Sequence, residues 1–551
     1  MLPRYGSSQH TGEEPKRKRM KMSDKIFRGS AGKGVRLAAI LCALAMILPA
    51  MAFIQADTSD AIDRTKVRTW DELKDLVEDG PEEVYIILMD DIIDKSNDDA
   101  IEIEDDRIVD IDLNGHKIDR KRGTEDGKDG RLFEISGASN VYISNGTLTG
   151  GHGDDGGCMY LDNVEVHLSN IILTGNYSDG DGGAIYLTNE ALLSIYGGKI
   201  CNNVCDGDGG AIYAEDGSLC AIRESEVYGN RAEDGCGGVL YADESSYEFK
   251  KSNVHDNYCE ESGGVVYAEG VSDSKYLVMD NAIDNCTMSG NHTKKDEDCN
   301  GGAVCMIESN LIMYTTTFEN NYCGFDGGAF YAEDSDVIVY SPIIFRNNNA
   351  PDSGGAMRLH GGHYDMGILT FEGNYANNCG GALYINNDCD VIMWDITMTG
   401  NSARLDGGGL LVGGDDDNTV EIYGQIIIKD NTAHRDGNNV FLREDQVLKC
   451  GELSQDSRIG VELQEGKGKI TKNFSKNNPD VDAARLFFSD NSKYYVALDP
   501  DSGEAKMYKE GTGGDMSDDN TNVWICVGIV VAIVALAAVA QILWSKRSKN
   551  Q

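Results

Sequence analysis

From Asn145 to Arg443 apolar and polar positions alternate in short runs, and the runs themselves recur. The clearest unit is Gly182-Gly183-Ala184-Ile185-Tyr186. Copies start at Gly156, Gly209, Gly237, Gly263, Gly301, Gly327, Gly354, Gly380, Gly407 and, degraded, Gly437. Successive starts lie 26 to 30 residues apart, save one interval of 38 that holds an insertion around Ser272–Asp280 and a longer turn through Lys294–Cys299. The second residue after each glycine pair is apolar, as in Met159, Ile185, Leu240, Phe330 and Leu383, and two positions on it is often apolar again, as in Leu161, Leu187 and Ile385. A side-chain period of two is a strand with one buried face. Asp, Gly, Asn and Ser between the runs supply turns.

Each repeat carries a second mark upstream of its glycines, an apolar residue three before an asparagine. Phe318-x-x-Asn321, Phe345-x-x-Asn348 and Phe371-x-x-Asn374 show it, and pairs from Leu173/Asn176 to Ile428/Asn431 fill the same places. A further apolar run, such as Leu192–Tyr196, Val337–Tyr340 or Val391–Trp394, brings the count to three short strands per repeat. A fixed period of roughly 20–50 residues means stacked units. Three strands and three turns per unit predict one coil of a parallel β-helix, with coils about 4.8 Å apart. An inward asparagine at one turn then bonds its copies above and below. The L-x-x-L-x-L frame of a leucine-rich repeat is absent.

The flanks read differently. Thr69-Trp70-Asp71-Glu72 has the form of a capping box, and Trp70, Leu73, Leu76 and Val77 follow at helical spacing. This predicts a short helix lidding the first coil, whose strand edges would otherwise be bare. Residues 1–36 are basic around Lys16-Arg17-Lys18-Arg19. Leu37–Phe53 is apolar and ends near Ala50-Met51-Ala52, so 37–56 reads as a signal peptide or an uncleaved anchor. Beyond Arg443 the motif is lost, and residues 446–499 read as closing strands. Residues 500–522 are rich in Gly, Ser and Asp, as in a flexible stalk. Val523–Trp544 is long and apolar enough to span a bilayer, with Trp524 and Trp544 at its ends and Lys546-Arg547-Ser548-Lys549 after it.

Charge narrows the partners. The formal net charge is −43, and setting aside residues 1–36 and 545–551 leaves 36 basic against 89 acidic residues, or −53. Such a surface repels nucleic acid and anionic headgroups. Thirteen of the fifteen cysteines lie between the two apolar segments, an odd number in which no spacing recurs. Pairs such as Cys201/Cys205, Cys379/Cys389 and Cys236/Cys259, or buried free thiols, both fit. Neither Cys201-x3-Cys205 nor Cys299-x5-Cys305 has zinc spacing.

The tandem Gly-Gly-Ala-(Ile/Leu/Val) and Phe-x-x-Asn motifs resemble those of the polymorphic outer-membrane proteins, surface adhesins and autotransporters of the chlamydiae. The resemblance covers roughly 145–443 and implies a right-handed β-helix passenger. Those proteins end in an outer-membrane β-barrel, whereas this sequence ends in a single apolar segment, so the passenger carries over and the autotransporter mechanism does not. Ile111-Asp112-Leu113-Asn114-Gly115-His116 is also similar to the opening coil of β-helix proteins of the pectate-lyase-like superfamily.

Three chemistries deserve weighing. Gly151-His152-Gly153-Asp154-Asp155 resembles two polygalacturonase elements, but in that family they lie on different coils with further motifs that are missing here, and Arg223 and Arg358 are not singled out as proton abstractors. Acidic residues recur in the turn before the glycines, notably Asp179, Asp181, Asp206 and Asp208. Stacked carboxylates repel, so the ladder reads as a Ca2+ site or as a solvated edge. The third residue after the glycine pair is Tyr160, Tyr186, Tyr213, Tyr241, Tyr267, Tyr331 or Tyr384, an outward column that reads as an exposed platform for sugar rings or a protein partner, or as mutual packing. The sequence therefore predicts a single-pass cell-membrane protein with an extracellular all-β helix over 96–445, a cap over 57–95, and an adhesin-like binding or display role toward a glycan or protein. A polysaccharide-binding or polysaccharide-degrading module is the alternative.

Overall fold

The computed structural model describes residues 63–510, apart from 96–98, 105–106, 124–129, 138, 271–280, 296–297, 414–417 and 435–437. The basic segment 1–36, the apolar segments 37–56 and 523–544, and the tail 545–551 lie outside the described residues. All the coils belong to one compact unit that begins at Arg64. They form an all-β, right-handed β-helical solenoid of about 14 turns.

The repeats fall into register motif upon motif. The strand after the glycines pairs parallel with its copy in the next coil, so that Met159, Ile185, Ile212, Leu240 and Val266 are successive partners. The column runs on through Val440 to Val461, one coil past the last glycines. A second column joins Val141, Val166, Leu193 and Cys220, and a third joins Leu173, Ile200, Val227 and Val254. Inward residues of all three form one continuous core. Within it Phe318, Phe345 and Phe371 stack at 4.8 and 5.0 Å between centroids.

Each mark of the repeat has a conformational cause. The first glycine of every intact pair, from Gly156 to Gly407, holds a positive φ of 61–74°, a region costly for other residues. At the second glycine a β-carbon would run into carbonyl groups of the next coil, as at Gly183 against Gly210. The residue before each ladder asparagine is also left-handed and is Gly, Asn or Asp, for example Asn202, Gly229, Asp256 and Asn347. That turn carries the strand inward, so a spacing of three separates the core phenylalanine from the asparagine.

The asparagines make a single oriented chain. Backbone N and Nδ2 of Asn176 both donate to Oδ1 of Asn203, at 3.2 and 3.0 Å. The same pair of bonds recurs from Asn203 to Asn230, and on through Asn257, Asn291, Asn321, Asn348, Asn374, Asn401 and Asn431. Gly151 N donates into the first Oδ1. At the far end Asn431 donates to Asn439, and Asn439 N and Nδ2 donate to the carboxylate of Asp490.

Several expectations are amended. A fourth element, two residues long, follows most of the ladder asparagines, and its column pairs His152, Tyr177, Val204, Arg231 and Tyr258. Its second position is a small inward residue, and Ser178, Cys205 and Cys259 each donate there to a turn carbonyl. All thirteen described cysteines are buried thiols outside any disulfide; several stand where neighbouring coils use Ser or Thr, which is why their spacing follows no disulfide framework. The helix Trp70–Glu78 is present, with Thr69 Oγ1 accepting from Glu72 N and with Trp70, Leu73 and Val77 buried. Part of the expected stalk is folded: Glu504–Lys509 pairs antiparallel with Tyr494–Asp499 and Gly468–Lys469 because Ala505 and Met507 add to the core. Ala483–Leu486 is a helical turn where a strand was expected, with Asp482 capping Ala484 N.

Phe371→Ala empties a site between Phe345 and the Met398 coil and should cost about 3–5 kcal/mol. Urea unfolding of the full-length protein measures it, and a cost near that of a surface substitution would contradict the inward assignment.

Candidate binding face

The tyrosine column points away from the core, yet it is not an exposed platform. Tyr160, Tyr186, Tyr213, Tyr241 and Tyr267 stack face to face, with centroids 5.3, 5.0, 5.1 and 4.9 Å apart and planes within 4–25°. All five are half-buried. At 5 Å each ring covers its neighbours' faces and shows only its edge, the arrangement of mutual packing. The Arg131 guanidinium sits 5.3 Å over the outer face of Tyr160. Cys305 then interrupts the column, Tyr331 is only 6 % exposed, and Tyr384 lies under the Arg358 guanidinium at 4.1 Å. The seven tyrosines are thus one five-ring stack and two separate residues.

Phenol groups at the edge bond to the acidic surface. Tyr186 donates to Glu215 at 2.7 Å, Tyr331 to Glu333 at 2.9 Å and Tyr241 to Glu269 at 3.3 Å. Burial, reinforced by neighbouring carboxylates, pushes the Tyr186, Tyr213 and Tyr241 phenols well above their ordinary range.

The four aspartates divide into two jobs. Asp181 and Asp208 face the turn backbone: Asp181 Oδ1 accepts from Asp208 N at 2.7 Å, and Asp208 Oδ1 accepts from Cys236 N at 2.6 Å. Asp155 Oδ1 does the same for Asp181 N at 3.0 Å. Asp179 accepts from or pairs with His152 Nε2 at 3.1 Å, and Asp206 accepts from the Tyr177 hydroxyl. Among the described residues no group of three or more His, Cys, Asp or Glu side chains is arranged to hold a metal ion. His152 itself is buried in a two-residue strand, with Nδ1 on Arg122 O at 3.3 Å. Arg223 is bonded to Glu248 and Ser194, and Arg358 to Asp326 at 3.1 Å. These residues hold coils together.

Comparison with known proteins fits this geometry. A model of the right-handed β-helix region matches 237–422. The Chlamydia polymorphic membrane protein repeat matches 170–188 and 199–215, stretches that each contain an asparagine of the ladder and a Gly-Gly-Ala strand. The repeats are of the polymorphic-membrane-protein type. No curated protein and no solved structure matches the chain. Repeats of the polymorphic-membrane-protein type indicate a surface-exposed β-helix protein.

Two measurements follow from these positions. Tyr213→Ala removes a ring stacked on two sides but no core volume, and should cost clearly less in urea than Phe371→Ala; a larger cost would reverse inside and outside. Burial raises the Asp208 carboxyl to about 6, above the ordinary value of about 4. Its folded form binds a proton more tightly than the unfolded one, so stability is lost as pH rises through about 6. Asp208→Asn keeps the acceptor for Cys236 N. It should raise the thermal midpoint at neutral pH and flatten its fall between about pH 4 and 6; an unchanged slope in that range would contradict the assignment.

Proposed function

We propose that the chain is a membrane-anchored cell-surface protein whose β-helix serves as an adhesin-like binding or display scaffold. The observation that carries this reading is the match of successive coils to the polymorphic membrane protein repeat. Anchoring is supported by the sequence of Val523–Trp544 and the basic residues after it; among the described residues no helix is long and apolar enough to cross a membrane. The helix Trp70–Glu78 acts as the N-terminal lid of the solenoid, supported by its buried Trp70, Leu73 and Val77. The role is non-enzymatic, supported by the structural engagement of His152, Arg223 and Arg358.

Protease added to intact cells should release a soluble fragment that ends after Lys509 and retains the coils. Protection of 64–510 with loss of the basic tails would contradict the orientation. Chelation of calcium should leave the thermal midpoint unchanged, because Asp179, Asp181, Asp206 and Asp208 each have a protein partner; a large fall would return these turns to a calcium role.

A further inference from the structure

A second aromatic feature lies on the outer face of the second sheet, away from the tyrosine stack. The outward position closing each strand of that sheet is Tyr196, Arg223, Lys250 and Asp284 in the earlier coils, then Tyr314, Tyr340, Gly367, Trp394 and Tyr423. Two residues earlier along each of these later strands the same face carries Ile312, Ile338, Asp365, Ile392 and Glu421. A mostly charged column thus becomes a mostly aromatic one, flanked by isoleucines together with Asp365 and Glu421.

Only the first two rings here repeat the arrangement of the tyrosine stack. Tyr340 stands against Tyr314 at 5.7 Å and is 53 % exposed, the most exposed large apolar residue among those described. At Gly367 the column has no side chain. A β-carbon there would fall inside the indole of Trp394, nearest Cε2 and nearly as close to Cζ2 and Nε1. That pattern of distances places the indole on its face over the strand. Tyr423, the register partner of Trp394, leans the other way, over Gly451. The two rings splay apart where the strand register shifts after Trp394. Beside this floor Ile368 holds a φ of 56° with its side chain exposed, a conformation rare for a β-branched residue.

We propose that Trp394, with Tyr340 and Tyr423, is a binding platform for a linear glycan of uncharged sugars running along the solenoid axis. This deepens the adhesive reading and rests on it. A pyranose presents one apolar C–H face and a rim of hydroxyls. The indole lying flat supplies the matching surface. Asp365, two residues before Gly367 on the same face, and its partner His363, 3.6 Å away and also paired with Asp390 at 3.4 Å, supply polar groups farther along that strand. Along the axis the indole, over Gly367, lies one coil from Tyr340 and three coils from the Tyr423 ring over Gly451, or about 5 and 14 Å, roughly the lengths of one and three sugar units in an extended chain. The charge of −53 outside the tails selects against uronates and sulfated chains.

The test is native affinity electrophoresis of the full-length protein in a polyoxyethylene detergent, through gels containing hydroxyethyl cellulose, galactomannan or mixed-linkage glucan, with polygalacturonate and heparin alongside. At least one uncharged polysaccharide should retard the protein and shift its tryptophan fluorescence. Trp394→Ala should weaken retardation by about tenfold or more, and Tyr213→Ala should leave it intact. Gly367→Ala lifts the indole without removing it and should weaken retardation with the thermal midpoint preserved. Trp394→Phe, which keeps an aromatic floor, should retain weakened binding and serves if the alanine variant does not fold. Retardation by none of the uncharged polymers, by anionic polymers only, or equally in wild type, Trp394→Phe and Gly367→Ala overturns the proposal. Cells that still adhere while the purified protein is blind to sugars would sink this inference and leave the adhesive reading standing. Coils found inside the cell would sink that reading and leave sugar binding by the purified protein intact.

Discussion

The coils depend on one interaction, the donation of two N–H groups from each asparagine to the single Oδ1 of the next. Every such amide is buried, and every one points the same way. A buried hydrogen bond stabilises by about 1 kcal/mol net, but an orphaned buried donor costs about 1–3 kcal/mol. The ladder therefore punishes loss more than it rewards presence, and aligned amides in a low-dielectric interior strengthen one another. A one-directional chain must end on an acceptor with no donor of its own to place. Asp490 provides that acceptor, and burial lifts its carboxyl to about 6. The left-handed residue before each asparagine, the small residue two after it and the glycine pair beyond all follow from holding this amide at one depth.

Outside the core the same repetition has two different outcomes. Where every coil offers a tyrosine, the rings stack at the coil spacing and cover each other, so periodicity consumes the surface that would bind a ligand. Where one coil offers a glycine, as at Gly367, the neighbouring indole falls flat and its face is left outward. A break in the pattern is thus more informative about binding than the pattern itself. The acidic turns obey the first rule: Asp155, Asp181 and Asp208 spend their oxygens on the backbone of the following coil.

Much of the fold was legible from Gly182-Gly183-Ala184 and Phe371-x-x-Asn374, because repeated motifs that pair in register leave little freedom in the third dimension. The helix at Trp70 was legible from its cap. The inward asparagines were legible too, but their terminus was not. Asn439 hides in a degraded glycine motif and Asp490 lies outside the repeats, brought back 51 residues later in the chain by the closing strands. The strand Glu504–Lys509 was masked by turn-like composition around it; burial of Ala505 and Met507 outweighs local propensity. Alternation along the strand sets the outward direction of Tyr213, but whether outward rings touch each other depends on ring tilt, which alternation does not encode. Trp394 was visible only as the end of an apolar run, since the glycine beneath it matters one coil away rather than nearby in sequence.

The directional ladder is tested most directly by native-state hydrogen exchange in Asn348→Leu. That change strands two N–H groups of Asn321, its backbone N–H and one of the two on Nδ2, whose other N–H stays on Met288 O, while Asn374 Oδ1 keeps the backbone N–H of residue 348. The account predicts that protection falls most at residue 321 and in the coil on its N-terminal side, with a smaller loss in the coil of Asn374. Equal loss on both sides, or protection unchanged at residue 321, would contradict a one-way chain of amides as the element that holds the coils together.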